Sequence, residues 1–230
     1  MRKTLFNASL LTLALAAPFA QAHQAGDLIL RAGAITVDPR ESTSGVLVDR
    51  GALAGVNLGG KATLDSDTQL GLNFAYMVTD HVGIELLAAT PFSHSVGIKN
   101  AALGAANGKL GSLKHLPPTL SAVYYPMQSG SAFQPYVGAG INYTWFFDES
   151  VSSGARDAGF SNFRVKNSWG WAAQVGMDYM LTDQIMLNAQ VRYIDIDTQA
   201  YVDHDGLGVR ARVDVDVKPW VYMVGLGYKF

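Results

Sequence analysis

Large apolar residues alternate with small or polar residues along much of the chain. From Val137 to Phe147, the odd positions carry Val, Ala, Ile, Tyr, Trp and Phe, whereas the even positions between 138 and 144 carry Gly, Gly, Asn and Thr. A period of two is typical of a β-strand with two different faces, since an amphipathic helix repeats every ~3.6 residues. The pattern predicts eight strands, at 27–37, 67–76, 82–90, 118–126, 135–147, 168–179, 185–193 and 220–230.

The second face of these strands favours a membrane barrel over a soluble sandwich. A sandwich presents charged residues to water, whereas here the face opposite the large apolar residues is mainly glycine, alanine and asparagine. The segments 135–145, 169–179 and 220–230 each cover ten residue steps. Ten steps of ~3.4 Å, tilted by ~40°, rise ~26 Å, which matches the ~25 Å apolar band of outer-membrane barrels. We therefore predict an all-β fold, an eight-stranded antiparallel transmembrane β-barrel.

The connections and the aromatic residues predict the orientation of the barrel. Short turns fall at 79–80, 128–131 and 182–183, and long connections fall at 38–66, 91–117, 148–167 and 197–212. This asymmetry is typical of barrels with periplasmic termini and long extracellular loops. All four tryptophans then lie at the outer interface: Trp145, Trp169, Trp171 and Trp220. Other aromatic residues lie at the inner interface: Tyr76, Tyr124, Tyr179, Tyr228 and Phe230.

The N-terminus predicts export. Arg2 and Lys3 form a basic start, an apolar stretch covers 5–17, and Ala20-Gln21-Ala22 matches a small-residue cleavage site. We expect a cleaved signal peptide at 1–22, a single transmembrane β-barrel domain at 23–230, and export through the periplasm to the bacterial outer membrane.

The composition agrees with a strand-built membrane protein. Only 16% of the residues are charged and the mean hydropathy is +0.12, yet no apolar run reaches the ~18 residues that a membrane helix needs. Lys and Arg number 17 against 19 Asp and Glu, so no basic excess points to nucleic acid. The absence of cysteine excludes disulfides, thiolate metal ligands and a cysteine nucleophile.

The residues in the inward phase form a polar set and an apolar set. The polar candidates for the lumen are Arg31, Gln69, Asn73, Glu85, Asn142, Gln174, Asp178, Asn188, Gln190 and Arg192. They fit either a packed, ion-paired plug or a polar floor that forces solutes sideways, and the two are compatible. The candidate hydrophobic funnel is Ile35, Val37, Leu87, Phe146, Ile194 and Val221. This second set fits either an apolar binding region or the close packing of a narrow barrel.

Three prolines mark a candidate lateral gate. Pro91 interrupts the third strand, and Pro117 and Pro118 open the fourth. Antiparallel pairing brings these positions together at the outer end, and proline has no N–H to donate to the strand ladder. An unmet carbonyl is costly in lipid, so a gap there would need polar lining or water. The alternative is that the prolines simply end the strands at a loop.

Four segments carry a resemblance to a known family. They are 34–39, 134–143, 188–195 and 225–230, which read AITVDP, QPYVGAGINY, NAQVRYID and GLGYKF. The chain resembles the outer-membrane protein W family (OmpW, AlkL and OprG), and its OprG branch most. The resemblance implies a narrow, partly hydrophobic channel that admits small hydrophobic or amphipathic molecules, with exit through a side opening. It also implies assembly by the barrel-assembly machinery, in which the terminal Phe230 takes part.

These observations lead to three hypotheses about function. The main one is passive uptake of small hydrophobic molecules by lateral diffusion through the barrel wall. The alternatives are a channel for small polar solutes such as small amino acids, and a structural or surface-interaction barrel that uses loops 38–66 and 148–167. The expected partners are outer-membrane lipids, lipopolysaccharide and the transported solutes, with no nucleic acid.

Enzymatic chemistry finds little support in the sequence. Ser93-His94-Ser95 suggests a hydrolase, but adjacent residues of a strand point to opposite faces, so the triplet cannot act by itself. We therefore expect no catalytic residue, no cofactor and no metal site.

Overall fold

The alternating segments form strands in the computed structural model, which describes residues 23–101 and 107–230. The expected signal peptide, 1–22, lies outside the described residues. In chain order the strands are β1 (Leu28–Asp38), β2 (Glu41–Thr43), β3 (Leu47–Arg50), β4 (Gly59–Leu64), β5 (Asp67–Met77), β6 (Val82–Ala89), β7 (Phe92–Ala101), β8 (Gly108–Leu116), β9 (Thr119–Tyr124), β10 (Phe133–Val151), β11 (Phe160–Val165), β12 (Ser168–Met180), β13 (Ile185–Ile194), β14 (Ile196–His204), β15 (Val209–Val217) and β16 (Trp220–Lys229). A short helix, α1 (Ser153–Asp157), precedes β11.

Eight of these strands close into a barrel. Each pairs antiparallel with the next in the order β1, β5, β6, β9, β10, β12, β13 and β16, and β16 pairs with β1. The register sets Gly33 opposite both Gly225 and Gly71. Closure matters because lipid offers the backbone no hydrogen bonds, so a spanning sheet must satisfy them between its own strands. The predicted eight-stranded antiparallel barrel is confirmed.

The outer surface of the barrel is apolar between two aromatic girdles. Val137, Val224 and Leu226 are more than half exposed, as expected of side chains that face lipid rather than a protein core. At the end of the barrel that carries the long connections, called the outer end here, Trp145, Trp169, Trp171 and Trp220 are exposed. Tyr76, Tyr124, Tyr228 and Phe230 are exposed at the opposite, inner end, whereas Tyr179, also expected there, is half-buried. These two sets of exposed aromatic residues correspond to the predicted girdles.

The short connections share one turn chemistry. After β5, the amide of Val82 donates to Thr79 Oγ1 at 2.9 Å; after β12, the amide of Ile185 donates to Thr182 Oγ1, also at 2.9 Å. The sequence repeat of strand end and turn is therefore a structural repeat at the inner end.

In the described part of the chain, no helix is long and apolar enough to cross a membrane.

The long connections differ from the expectation, because most of their length is strand rather than loop. Strands β4, β7 and β8 and the outer part of β10 form one sheet above the barrel, and β11, β14, β15 and β2 form another, with β3 also paired to β15. Val96, Leu113, Phe163, Val202 and Val213 belong to an apolar core of this outer region. In β15 (VRARVDVDV) the polar positions are charged, which suits a strand with one face in water.

Candidate functional site

The barrel interior is stacked in three layers. An apolar layer at the inner end contains Ile29, Met77, Val123, Met180 and Met186. Above it lies a layer of charged and amide side chains, and above that a second apolar layer near the outer end. The alternation of each strand sets this order, because every inward residue is separated from the next by one outward residue.

Four charged side chains joined by three ion pairs form the middle layer, called the polar floor here. Arg31 binds Asp178 through Nε–Oδ1 (3.0 Å) and Nη2–Oδ2 (2.5 Å), and its Nη1 lies 3.4 Å from Glu85 Oε2. Arg192 Nη2 binds Glu85 Oε1 at 2.6 Å. All four side chains are at most 1% exposed. Charges this deeply buried are tolerated because each has an opposite charge and further hydrogen bonds.

Amides complete the polar floor. Asn73 accepts a hydrogen bond from Arg31, Gln174 donates to Glu85 and accepts from Arg192, and Asn188 donates to Asp178. Gln190 accepts from Arg192. Eight of the ten polar residues expected in the lumen therefore meet in one network: Arg31, Asn73, Glu85, Gln174, Asp178, Asn188, Gln190 and Arg192. Such a layer fits both sequence interpretations, since a packed plug is also a barrier across the lumen.

Three aromatic residues of the floor were not singled out from the sequence. Tyr125 accepts from Arg31 at 2.8 Å, and the Tyr136 ring lies beneath the Arg31 guanidinium at 5.4 Å. His23 Nε2 lies 2.9 Å from Asp178 Oδ2. Tyr136 lies opposite Gly176, and a Cβ on that glycine would lie 2.4 Å from the tyrosine ring. The glycine was therefore the feature of the sequence that indicated room for an inward tyrosine. Large inward residues that face glycine across a strand pair indicate a filled lumen.

The second apolar layer contains the whole candidate funnel. Ile35, Val37, Leu87, Ile194 and Val221 are buried together, and Phe146 packs against them. Phe92, which directly follows Pro91, is fully buried in the same cluster. An apolar region therefore lies between the polar floor and the outer sheets.

The prolines lie at a break in strand pairing beside this layer, called the seam here. Pairing of β6 with β9 ends where Leu87 faces Thr119, and pairing of β7 with β8 begins where Phe92 faces His115. Between these points the segment after β6 bonds to β5, and the segment before β9 bonds to β10. The amide of Thr90 donates to Leu70 O at 2.9 Å, and the amide of Tyr143 donates to Pro118 O at 3.1 Å. The structure thus brings Pro91, Pro117 and Pro118 to the two edges of one break.

Polar side chains line the seam. The buried amide of Asn142 donates to the carbonyls of Pro117 and Pro118, both at 3.1 Å. On the facing edge, Thr90 Oγ1 donates to Gln69 Oε1 at 3.0 Å. Asn142 and Gln69 were expected among the lumen residues, and they lie at the seam rather than in the polar floor. Their position supplies hydrogen-bonding side chains along the break in strand pairing.

The Ser93-His94-Ser95 triplet takes the geometry expected of a strand. His94 is buried, whereas Ser93 faces outward. The two ring nitrogens of His94 contact Asp65 O at 2.6 Å and His115 Nε2 at 2.8 Å. Neither nitrogen is placed as a base for the adjacent serines.

Together, a closed eight-stranded barrel, an apolar exterior and two aromatic girdles define an outer-membrane β-barrel protein. The OmpW family model matches residues 24–230, and the chain belongs to this family. It is 45% identical over 231 residues to outer membrane protein W of Vibrio cholerae serotype O1, covering 100% of both chains. The predicted family and the bacterial outer-membrane location are confirmed.

Two further relatives place the chain within this group. The crystal structure of OprG from Pseudomonas aeruginosa is similar with a TM-score of 0.84 and 52% identity, over 91% of this chain and 98% of OprG. Outer membrane protein AlkL of Ectopseudomonas oleovorans is 29% identical over 185 residues, which is 77% of this chain and 75% of AlkL.

Proposed function

We propose that the protein is a passive channel for small hydrophobic molecules, which enter at the outer end and leave sideways through the seam. The observation that carries this proposal is the position of the apolar layer, directly above an ion-paired floor and beside the break in strand pairing. A solute in this layer meets buried charges below and membrane to the side. Transfer of an apolar molecule into hydrocarbon is favourable, whereas transfer past paired charges is not.

The chemistry of the interior supports transport without catalysis. The four charged side chains of the floor are ion-paired with one another, although Arg192 Nε and Nη1 are buried without a partner among the described residues. We infer that the role of this layer is to block straight diffusion. The exposed apolar belt and the terminal Phe230, 66% exposed, suit contact with outer-membrane lipids and lipopolysaccharide and recognition by the barrel-assembly machinery.

Passage of small polar solutes is the second candidate, because the seam itself is polar. Asn142, Thr119 and Thr144 form a buried hydrogen-bonded group there, with Thr144 Oγ1 donating to Asn142 Oδ1 at 2.7 Å. A small amino acid would find donors and acceptors along this edge. The two candidates predict different solute preferences for one opening.

A Pro91→Ala variant tests the proposal. The alanine supplies an N–H that can pair with a carbonyl on the facing edge, and one net hydrogen bond shifts an open–closed equilibrium roughly 2- to 10-fold. We expect uptake of a hydrophobic solute to fall by about that factor in vesicles with lipopolysaccharide in the outer leaflet. Pro126→Ala, in the inner turn after β9, is the matched control and should leave uptake unchanged.

The solute comparison decides between the candidates. Loss of hydrophobic uptake with unchanged passage of a small amino acid supports lateral exit. Loss of amino-acid passage alone supports the polar route. Undiminished hydrophobic uptake in a folded Pro91→Ala protein would contradict a role of Pro91, and equal permeability of protein-containing and protein-free vesicles would favour a structural barrel.

A further inference from the structure

Two histidines are buried side by side next to the seam, outside the polar floor. His94 of β7 and His115 of β8 are 2% and 5% exposed. Their rings stack at 4.9 Å with a 15° angle between planes, and the two Nε2 atoms lie 2.8 Å apart. His115 also stacks on Phe92 at 5.4 Å, and it precedes Pro117 by two residues. The pair therefore touches the residues that flank the break in the wall.

The hydrogen bonds of the pair fix the tautomer of each ring. His94 Nδ1 contacts the carbonyl oxygen of Asp65 at 2.6 Å, and a carbonyl only accepts, so His94 Nδ1 carries the proton. With one proton on each ring, the Nε2 atom of His94 is then an acceptor, and His115 donates from its own Nε2. This leaves Nδ1 of neutral His115 with a lone pair. Among the described residues this buried nitrogen has no hydrogen-bond partner.

His115 remains neutral across the physiological range. It belongs to the outer hairpin, beyond the spanning strands, where burial and then the neighbouring His94 lower its pKa to about 3. The free nitrogen is therefore an acceptor and not a charged donor. A group that can satisfy it must bring a hydrogen of its own, which a carboxylate does not.

A small apolar cavity adjoins the pair. Its volume is about 30 Å³, and its walls include Val37, Leu64, Leu113, Phe146, Ile196 and Val217. This is room for one water-sized group. A buried water usually makes about three hydrogen bonds, and the walls here are almost wholly apolar. A hydroxyl group attached to a hydrocarbon fits better, since it needs one acceptor and its carbon atoms gain from the apolar surroundings.

We propose that His115 Nδ1 binds the hydroxyl group of a neutral, apolar molecule, such as an aliphatic alcohol or a phenol, on its way through the seam. The hydroxyl occupies the cavity, and the hydrocarbon part lies beside the half-buried Phe146, which lines the cavity, and extends towards the seam. This inference rests on the proposed uptake of apolar solutes and specifies their class: one hydrogen-bond donor, no charge. His94 is a positioning residue, because it directs the Nε2 proton of His115 and leaves Nδ1 free.

A titration of the wild-type protein tests the site without any variant. Protein labelled with ¹⁵N-histidine is placed in nanodiscs and titrated with phenol, and in parallel with toluene, which has a methyl group in place of the hydroxyl. Phenol should shift the His115 Nδ1 resonance towards that of a hydrogen-bonded nitrogen, and toluene should not. Equal responses to phenol and toluene would overturn the proposal.

An uptake experiment links the site to transport. In vesicles with lipopolysaccharide in the outer leaflet, His115→Phe should lower the ratio of phenol to toluene uptake about 2- to 10-fold, the ratio given by one net hydrogen bond. His204→Phe is the matched control, because His204 lies in β14 of the other outer sheet, and the preference for phenol should survive there. If His115→Phe leaves the ratio unchanged, the site is wrong.

The two proposals fail in different ways. If wild-type protein takes up neither solute faster than protein-free vesicles, the uptake function fails. If toluene uptake is normal but phenol gives no shift at His115 Nδ1, only the hydroxyl site fails.

Discussion

At the scale of single residues, the polar floor depends on ion pairs that cannot be broken one partner at a time. Arg31 and Asp178 are fully buried, and Arg31 donates two hydrogen bonds to Asp178. Removing the Asp178 charge leaves Arg31 with only its longer contact to Glu85, and breaking a buried pair in this way costs about 3–5 kcal/mol. An exposed pair costs about 0–1 kcal/mol to break, because water replaces the lost partner.

Asp178→Asn should therefore lower the free energy of unfolding by about 3–5 kcal/mol. The matched control is Asp148→Asn, because Asp148 pairs with Lys114 at 2.7 Å and the two side chains are 63% and 45% exposed. We expect about 0–1 kcal/mol there. Urea unfolding in lipid vesicles, followed by tryptophan fluorescence, measures both. Similar losses for the two variants would contradict the floor as a compensated buried layer.

The sequence predicted which residues point into the lumen but not which residues they contact. Alternation placed Arg31, Glu85, Asp178 and Arg192 inside, and two charges of each sign suggested pairing. The partners of Arg31 lie 54 and 147 positions away, so their contact depends on the stagger of all eight strands, which no single strand encodes. His115 lies in the segment 91–117, which the sequence predicted to be a loop. The structure shows this residue in β8, where it is buried.

At the scale of elements, the hairpin of β7 and β8 buries a histidine whose pKa is lowered by burial. The sequence signal for such strands is weaker, because in β15 charged residues take the positions that glycines and amides take on the lumen face of the barrel strands. Strand propensity there depends on packing between the outer sheets, which is set by the tertiary structure. The closed hairpin holds His115 in its unprotonated form, so protonation of this ring favours the open hairpin.

Acidification should open this hairpin before it affects the barrel. The pKa of His115 falls from 6.5 in the open chain to about 3 when buried. The open form then binds a proton that the closed form does not, so stability is complete above pH 6.5 and decreases as the pH falls towards 3, by roughly 1.4 kcal/mol per pH unit. Amide exchange of residues 92–101 and 108–116, referenced at each pH to β5, should rise between pH 7 and pH 5. His115→Phe should flatten this dependence, and an equal slope in both proteins would contradict it.

At the scale of the whole molecule, the lipid environment explains why the fold was predictable. A spanning sheet must close, must alternate, and must match the thickness of the membrane, and these constraints leave a regular signature in each strand. The eight predicted strands differ from the observed ones mainly at their outer ends, where β10 continues to Val151 instead of ending near Phe147. Beyond the lipid these constraints no longer apply, and there the expectation of loops was wrong.

Insertion of a protease site after Gly154 or after Gly130 tests the orientation of the barrel. Gly154 lies in α1 on the outer sheets, and Gly130 lies in the turn between β9 and β10. Neither glycine has a heavy atom within 4 Å of an added Cβ, so both positions are open and should tolerate insertion equally well. On intact cells, protease should cleave only the variant at Gly154. After the outer membrane is permeabilised, it should cleave both. Cleavage at Gly130 but not at Gly154 on intact cells would reverse the orientation and place the apolar layer and the seam at the periplasmic end, where a solute arriving from outside would meet the polar floor first.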